Sequence, residues 1–519
     1  MLSNYLGKQL VYRVFLFCYI VLAIALPFNK LVLSLASVLL FLFTLLDFSP
    51  KRDIEKIKTN KSLLLLFLFL GIHLISFFWS SNQEYFLKDL TVKLPLYALP
   101  LVLVLHPLQS SKELLSIFNC FILSVTFFSI YNFITFFSGN SFETIDIRYM
   151  SQFVSHIRFG LMIVFAIVLS LYQVFFGKKQ WPWAYYLITI WLLIYTHYAE
   201  VMSAYASIVL VIACSIVFIF FKSFSKGKAI IYSSILALSF CSLGVLFYLF
   251  FLKAPESPKI GVNDKYTAEG NSYKHNLNSH YYINNNHVYS FICDEELHRE
   301  WKNYSKHNLT DTNRYGYQHY YTLVQYMTSK GLRKDARGFQ ELSPLDLKRI
   351  EAGLISDNTL KPGFGRRLET LRNEFYDDDP NGKTLKQRIE FVCTGWKIFL
   401  NNPFLGVGSG DLADAFTQQY KIDKTRLKKV NQLRAHNQFL SYFISFGILG
   451  GVVFLILMGY SFFYFVRRSD WPATLFLGLL LFSFLSEDTL ETQVGVTFFA
   501  LFYGIFVSSS LSNKYKDEV

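Results

Sequence analysis

His436 is the residue best placed to do chemistry in this chain. It stands in Arg434-Ala435-His436-Asn437-Gln438, where a long polar stretch meets an apolar, glycine-punctuated run from Phe439 to Val466. An imidazole can accept a proton near neutral pH, and a guanidinium two residues away can bind phosphate oxygens. Lys421, Lys424, Arg426, Lys428 and Lys429 lie just upstream. Such a cationic patch attracts phosphate, and like charge favours the neutral, proton-accepting imidazole. An isolated histidine at a helix entrance is ordinarily an interfacial side chain. These neighbours, with Asn437 in support, turn the reading of His436 toward a general base.

Other residues fit the same chemistry. Arg388 offers a planar, two-point grip on a phosphate. It precedes Gly406-Val407-Gly408-Ser409-Gly410, whose N–H groups could form an anion nest. That run follows no strand and lacks the lysine of a phosphate-binding loop, so an ordinary turn is the stronger local reading of Gly406 and Gly408. Arg148 and Arg158, with His156 between them, are further candidates for contact with a phosphorylated group. Glu487, Asp488 and Glu491 cluster near the C-terminal end and are read either as partners that orient a cation such as Arg434 or His436, or equally as membrane-surface acids with no special role. Asp377-Asp378-Asp379 has a metal-binding spacing, but Pro380-Asn381-Gly382 makes a solvated turn the better account. No cysteine–histidine spacing points to zinc, and no metal or other cofactor is expected.

The elements that must position these residues are membrane helices. Of 519 residues, 52% are hydrophobic, including 54 Phe and 33 Tyr. Apolar runs recur at lengths of about 17–25 residues, enough to cross ~30 Å of hydrocarbon, without the alternation of barrel strands. The expected fold is an all-α polytopic membrane protein with about 12 transmembrane helices. They are expected near 11–28, 30–48, 62–80, 90–106, 113–137, 158–176, 182–198, 204–221, 229–252, 438–465, 471–486 and 493–510. Charge appears scarce inside these runs. Basic residues mark every second short connection, from Lys51 and Arg52 to Arg467 and Arg468, which predicts both termini on the cytoplasmic side. The formal charge of +13 is therefore assigned to membrane anchors, not to nucleic acid.

Three regions are expected: an N-terminal bundle over 1–252, a large outer loop over 253–437, and C-terminal spans over 438–519. In a bacterium this loop is periplasmic and the protein sits in the inner membrane. The loop is too long to lack structure of its own. Ser343-Pro344-Leu345-Asp346 starts a helix. Leu385, Ile389, Val392, Trp396 and Phe399 recur at helical spacing and predict an amphipathic helix ending near Pro403. Cys293 and Cys393 share the loop and are candidates for a disulfide, which spacing alone cannot establish.

The chain resembles the superfamily of O-antigen ligases and Wzy-type O-antigen polymerases. The resemblance rests on RIEFVCTGWKIFLNNPFLGVGSG from Arg388, RAHNQFLSYFISFGILGG from Arg434, and SEDTLETQVGVTFFALFYGIF from Ser486. Loop residues 321–354 look like the version found in Bacteroidetes. The resemblance implies a GT-C-type fold and metal-independent, inverting transfer of a glycan from undecaprenyl diphosphate to an acceptor hydroxyl, such as that of lipid A core. It implies that His436 is the general base and that Arg388 and either Arg148 or Arg158 hold the diphosphate, with Arg434 nearby. A Wzy-type O-antigen or capsule polymerase and a protein O-oligosaccharyltransferase are alternatives within that likeness. A transporter of lipid-linked sugars is the alternative of a different class.

Overall fold

In a computed structural model of the chain, residues 7–508 are described apart from 139–146, 177–180, 224, 253–260, 262–263, 278–280, 285, 314–317, 357–362, 377–378 and 382. Helices form at each of the apolar runs. The first group comprises α1 (Lys8–Ala25), α2 (Lys30–Asp47), α3 (Pro50–Thr59), α4 (Lys61–Ile75), α5 (Gln83–Leu105), α6 (Ser111–Ser138), α7 (His156–Phe176), α8 (Pro182–Ala199), α9 (Met202–Ser223) and α10 (Lys226–Leu252). The large loop carries a two-residue hairpin, β1 (Tyr282–Ile283) and β2 (Asn286–His287). Its helices are α11 (Asp294–Tyr304), α12 (His319–Ser329), α13 (Ala336–Gln340), α14 (Pro344–Glu351), α15 (Phe364–Tyr376), α16 (Thr384–Asn401) and α17 (Leu412–Ile422). The chain then returns to apolar helices α18 (Gln438–Arg467), α19 (Trp471–Phe484) and α20 (Gln493–Ser508).

The expectation of about twelve membrane-spanning helices is not met. Among the described residues, six helices are long and apolar enough to cross a membrane: Lys8–Ala25, Lys30–Asp47, Lys61–Trp79, Ser111–Ser138, His156–Phe175 and Gln438–Arg467. Four of the remaining helices fall short for physical reasons. Helix α5 carries Glu84, Lys88, Asp89 and Lys93, and α8 is diluted by Tyr, Trp, Thr and His. Helices α19 and α20 have only 14 and 16 residues. An apolar run is thus a weaker claim than a span. The protein remains mostly helical, a multi-pass membrane protein with a large helical loop. On α2, Leu31, Leu35, Val38, Leu42 and Leu45 stay exposed at helical spacing, as a lipid-facing stripe does.

Helix α20 lies at the centre of the bundle. Every residue from Val494 to Val507 is buried, the signature of a helix that is apolar on all sides. Between helices in lipid, cohesion comes from close packing more than from water release. Here it is supplied largely by aromatic rings: Phe165 packs against Phe476 and Phe502 at 4.8 Å each, and Phe121 meets Phe502 at 5.0 Å. Gly504 lets α20 approach α5 closely, since a Cβ there would lie 2.6 Å from Leu103.

The loop has two parts. Val288, Leu297, Trp301, Leu323, Met327 and Ile350 form a core of their own. Helix α14 begins as its sequence predicts, with a capping box between Ser343 and Asp346. The second part, α16 and α17, shares a core with the start of α18 through Phe391, Ile398, Phe416, Leu440 and Ile444. Helix α16 forms where expected, and of its apolar stripe only Phe399 is buried. Phe391, Gly395 and Ile398 are inside, whereas Ile389, Val392 and Trp396 are exposed. The loop is also clamped to the bundle where Glu200 accepts from Arg366 Nε at 2.9 Å, Arg366 Nη2 at 2.7 Å and the Gly363 N–H at 2.6 Å. Cys293 and Cys393 are unpaired, one buried and one exposed, so no disulfide joins them.

Candidate functional site

The PFLGVGSG segment and helix α18 explain one another. Gly447 breaks α18 with φ 63° and ψ −163°, which frees carbonyls that a continuous helix would have satisfied. Val407 N–H donates to Ile444 O and Gly408 N–H to Ser445 O, both at 2.9 Å, while Ile448 N–H donates to Pro403 O at 2.7 Å. The contact is backbone on backbone. A Cβ on Gly406 would lie 2.5 Å from Ile444 O, and one on Gly447 would lie 2.1 Å from Phe404 O. Gly406 and Gly408 therefore form no anion nest; two N–H groups of this run are spent on sealing the broken helix. Such a break is tolerated at membrane depth only where neighbouring backbone satisfies it.

The first turn of α18 then presents His436. Asn437 is the N-cap, its Oδ1 accepting from Leu440 N–H at 2.9 Å, and its Nδ2 donates to Leu485 O at 2.9 Å. His436, just before the cap, is left-handed with φ 46°. Its ring sits 5.6 Å from that of Phe391 on α16. Nδ1 faces Asp488 Oδ1 at 3.5 Å and Glu487 Oε2 at 4.0 Å, close enough for charge attraction but with no hydrogen bond formed among the described residues. The lysines upstream are not the neighbours of this imidazole; Lys421, Lys424, Lys428 and Lys429 are exposed to solvent. Carboxylates surround the ring instead. Arg434 belongs to the same cluster, so the ring sits among charges of both signs.

Three arginines converge on the same acids. Arg388 on α16 donates to Ser486 O and pairs with Glu487. Arg434 pairs with Glu491 at 3.0 Å and Asp488 at 3.6 Å, and donates to Tyr85 Oη at 3.3 Å. Arg158 at the start of α7 reaches Asp488 at 3.7 Å. Burial pushes the Asp488 carboxyl up, but the neighbouring His436, with Arg434 and Arg158, outweighs it and holds it below the usual carboxylate range. The Arg148 side chain lies outside the described residues. Asp377 and Asp378 do as well; Asp379 accepts from Asn381, as in a solvated turn.

Behind this outer cluster runs a buried ionic chain that the sequence reading missed. Lys93 Nζ lies 2.9 Å from both Asp89 and Glu491, and His73 Nε2 lies 3.2 Å from Asp89. Gln438 ties the chain to α18, donating to Glu491 at 3.1 Å and accepting from Leu490 N–H at 2.7 Å. His73 and Lys93 are 0% and 2% exposed, so the apparent scarcity of charge inside the bundle was wrong. Asp89 and Lys93, four apart at the start of an apolar run, were the available signal.

His436, Glu487 and Asp488 bring ligand atoms within 4.8 Å of one another, a donor set suited to a cation. Both carboxylates are already paired with arginines, which a cation would have to displace. The arrangement can instead orient an imidazole through Nδ1 and leave Nε2 to accept a proton.

A family model described as O-antigen ligase matches residues 359–455. No curated protein matches the chain. The matched segment includes Arg388, the glycine run, Arg434, His436 and the break at Gly447. It supports a general link to the O-antigen ligase superfamily and to a glycosyltransferase-type role, without singling out a member.

Proposed function

We propose that the protein is a lipid-diphosphate-dependent glycosyltransferase of the O-antigen ligase type, acting at the loop side of a bacterial inner membrane, read as periplasmic. The observation that carries this is His436 held against Asp488 within a ring of Arg388, Arg434 and Arg158. In this reading Asp488 holds the tautomer with hydrogen on Nδ1. Nε2 takes the proton of an acceptor hydroxyl, whose oxygen attacks the anomeric carbon as the bond to the diphosphate breaks. One displacement inverts that centre. The leaving undecaprenyl diphosphate gains negative charge, which guanidinium N–H groups not used by the acids stabilise in the transition state. A positioned base contributes typically about 10²–10⁴-fold. Lipid A core, another glycan or a protein hydroxyl can serve as acceptor in this scheme, which needs neither metal nor ATP.

The test is transfer by the purified protein in proteoliposomes, from an undecaprenyl-diphosphate glycan to candidate acceptors, with chelator present. Transfer by wild type and its loss in a folded His436→Ala variant is the expected result. Undiminished transfer by that variant removes the general-base claim, and dependence on added metal removes the metal-free one.

The buried Lys93–Asp89–His73 chain and the broken helix favour a second reading, a transporter of lipid-linked glycans, since such proteins place charges and helix breaks within the membrane. Translocation of the lipid without transfer, in the same proteoliposomes, would establish it. The enzyme is preferred because the chain of charges ends at a half-buried imidazole at the loop junction.

A further inference from the structure

A cleft of about 870 Å³ opens beside this cluster, bordered by Trp79, Asn82, Glu84, Asn402, Asp414 and Gln418. Asn402, Gly406 and Val407 of the glycine-run segment line it, though nothing in their sequence indicates a cleft. Its floor is rigid. Asp411 accepts from the N–H groups of Ser81 and Asn82 at 2.7 Å each, Gly410 N–H donates to Ser80 Oγ at 3.2 Å, and a Cβ on Gly410 would lie 2.4 Å from Asn82 O. The volume falls in the range of roughly 300–1,000 Å³ of small-ligand sites.

Its chemistry narrows the ligand. Trp79 supplies an apolar ring to the lining. Asn82 and Asp414 are joined at 2.9 Å, and Glu84 and Gln418 are exposed at the rim. Planar amides and carboxylates can each engage two neighbouring hydroxyls, while an aromatic face covers the C–H side of a sugar ring. Among the described residues no lysine or arginine lines the cleft, whereas Glu84, Asp411 and Asp414 do. Such a field repels phosphates, uronates and other acidic sugars. The cleft also adjoins the ion cluster: Glu84 precedes Tyr85, whose hydroxyl accepts from Arg434 at 3.3 Å.

We propose that this cleft binds the acceptor glycan, and that this glycan is uncharged or amine-bearing where it is gripped. The role as acceptor site rests on the transferase reading above; binding of a glycan does not. The test uses the full chain in lipid nanodiscs, first on an array of neutral, amine-bearing and anionic oligosaccharides, then in titrations with the strongest ligand. The expected hits are neutral or amine-bearing. Affinity falls at least tenfold in Trp79→Ala and in the rim variants Glu84→Gln and Gln418→Ala, and is unchanged in His436→Ala. In the transfer assay, Glu84→Gln raises KM for acceptor and leaves KM for donor. Absence of glycan binding, preference for anionic glycans, or wild-type affinity in the folded rim variants overturns the site. Binding with these properties but no transfer keeps the site and sinks only its role as acceptor site.

Discussion

Asp488 shows how much a single carboxylate can decide. Its oxygen faces His436 Nδ1 at 3.5 Å, and the arginines around it keep it ionised well into mild acid. Replacing it by asparagine keeps the shape but removes the charge and permits the wrong imidazole tautomer. Asp488→Asn is therefore expected to reduce kcat by roughly 10²–10⁴-fold with little change in donor KM. An unchanged kcat would separate Asp488 from the reaction. At this scale the sequence was informative about identity and poor about surroundings. His436, Arg388 and Arg434 were legible because polar groups at the edge of an apolar run are conspicuous. Glu487, Asp488 and Glu491 were legible as acids that could orient His436 or Arg434; which acid meets which cation was not, because the α19–α20 connection meets α18 only through the fold.

Among elements, the broken helix α18 and the glycine run form one unit. Gly406→Ala adds a methyl 2.5 Å from Ile444 O at a backbone with φ 70°. The combined strain and crowding should cost roughly 2–4 kcal/mol. Melting of the detergent-solubilised protein should fall together with activity, and wild-type melting would show that this seam is dispensable. The sequence displayed the glycines but not their purpose, since their partner carbonyls lie some forty residues on. Helix α16 was legible as a helix, but which of its apolar residues turn inward was not, because in a membrane protein an apolar stripe need not point inward. Lys334 gives the loop core a different test. Its ammonium is buried against His287 O at 3.2 Å, and burial pushes its pKa down to about 7 from an ordinary 10.5. Between these values the unfolded chain binds more protons, so stability of this core rises as pH goes from 7 toward 10.5. Hydrogen exchange over residues 264–354, compared with Lys334→Met at each pH, should show the variant more protected at pH 7 and the difference shrinking by pH 9.5. A constant difference would contradict the shifted lysine.

For the whole molecule, the buried chain from His73 to Glu491 joins the bundle interior to the loop side. Removing Lys93 leaves Asp89 and Glu491 buried without their common cation, a loss of about 3–5 kcal/mol. Lys93→Met should therefore melt markedly lower, and adding Asp89→Asn and Glu491→Gln should recover much of the loss. Wild-type melting of the single variant would mean that water reaches these acids. The helical, multi-pass architecture was readable from composition and apolar runs. The number of membrane-crossing helices was not, because Lys93 and Asp89 sit inside one such run and two others stop short. The break at Gly447 has a last consequence. It divides α18 into roughly nine residues before and about twenty after, and twenty residues rise ~30 Å, the thickness of the hydrocarbon layer. Exposed apolar side chains on this helix begin at Ile448 and Leu449, just past the break. The long half alone can meet the acyl chains and tilt as bilayer thickness changes, while the short half, locked into the loop's own core, keeps the imidazole's seat independent of that tilt.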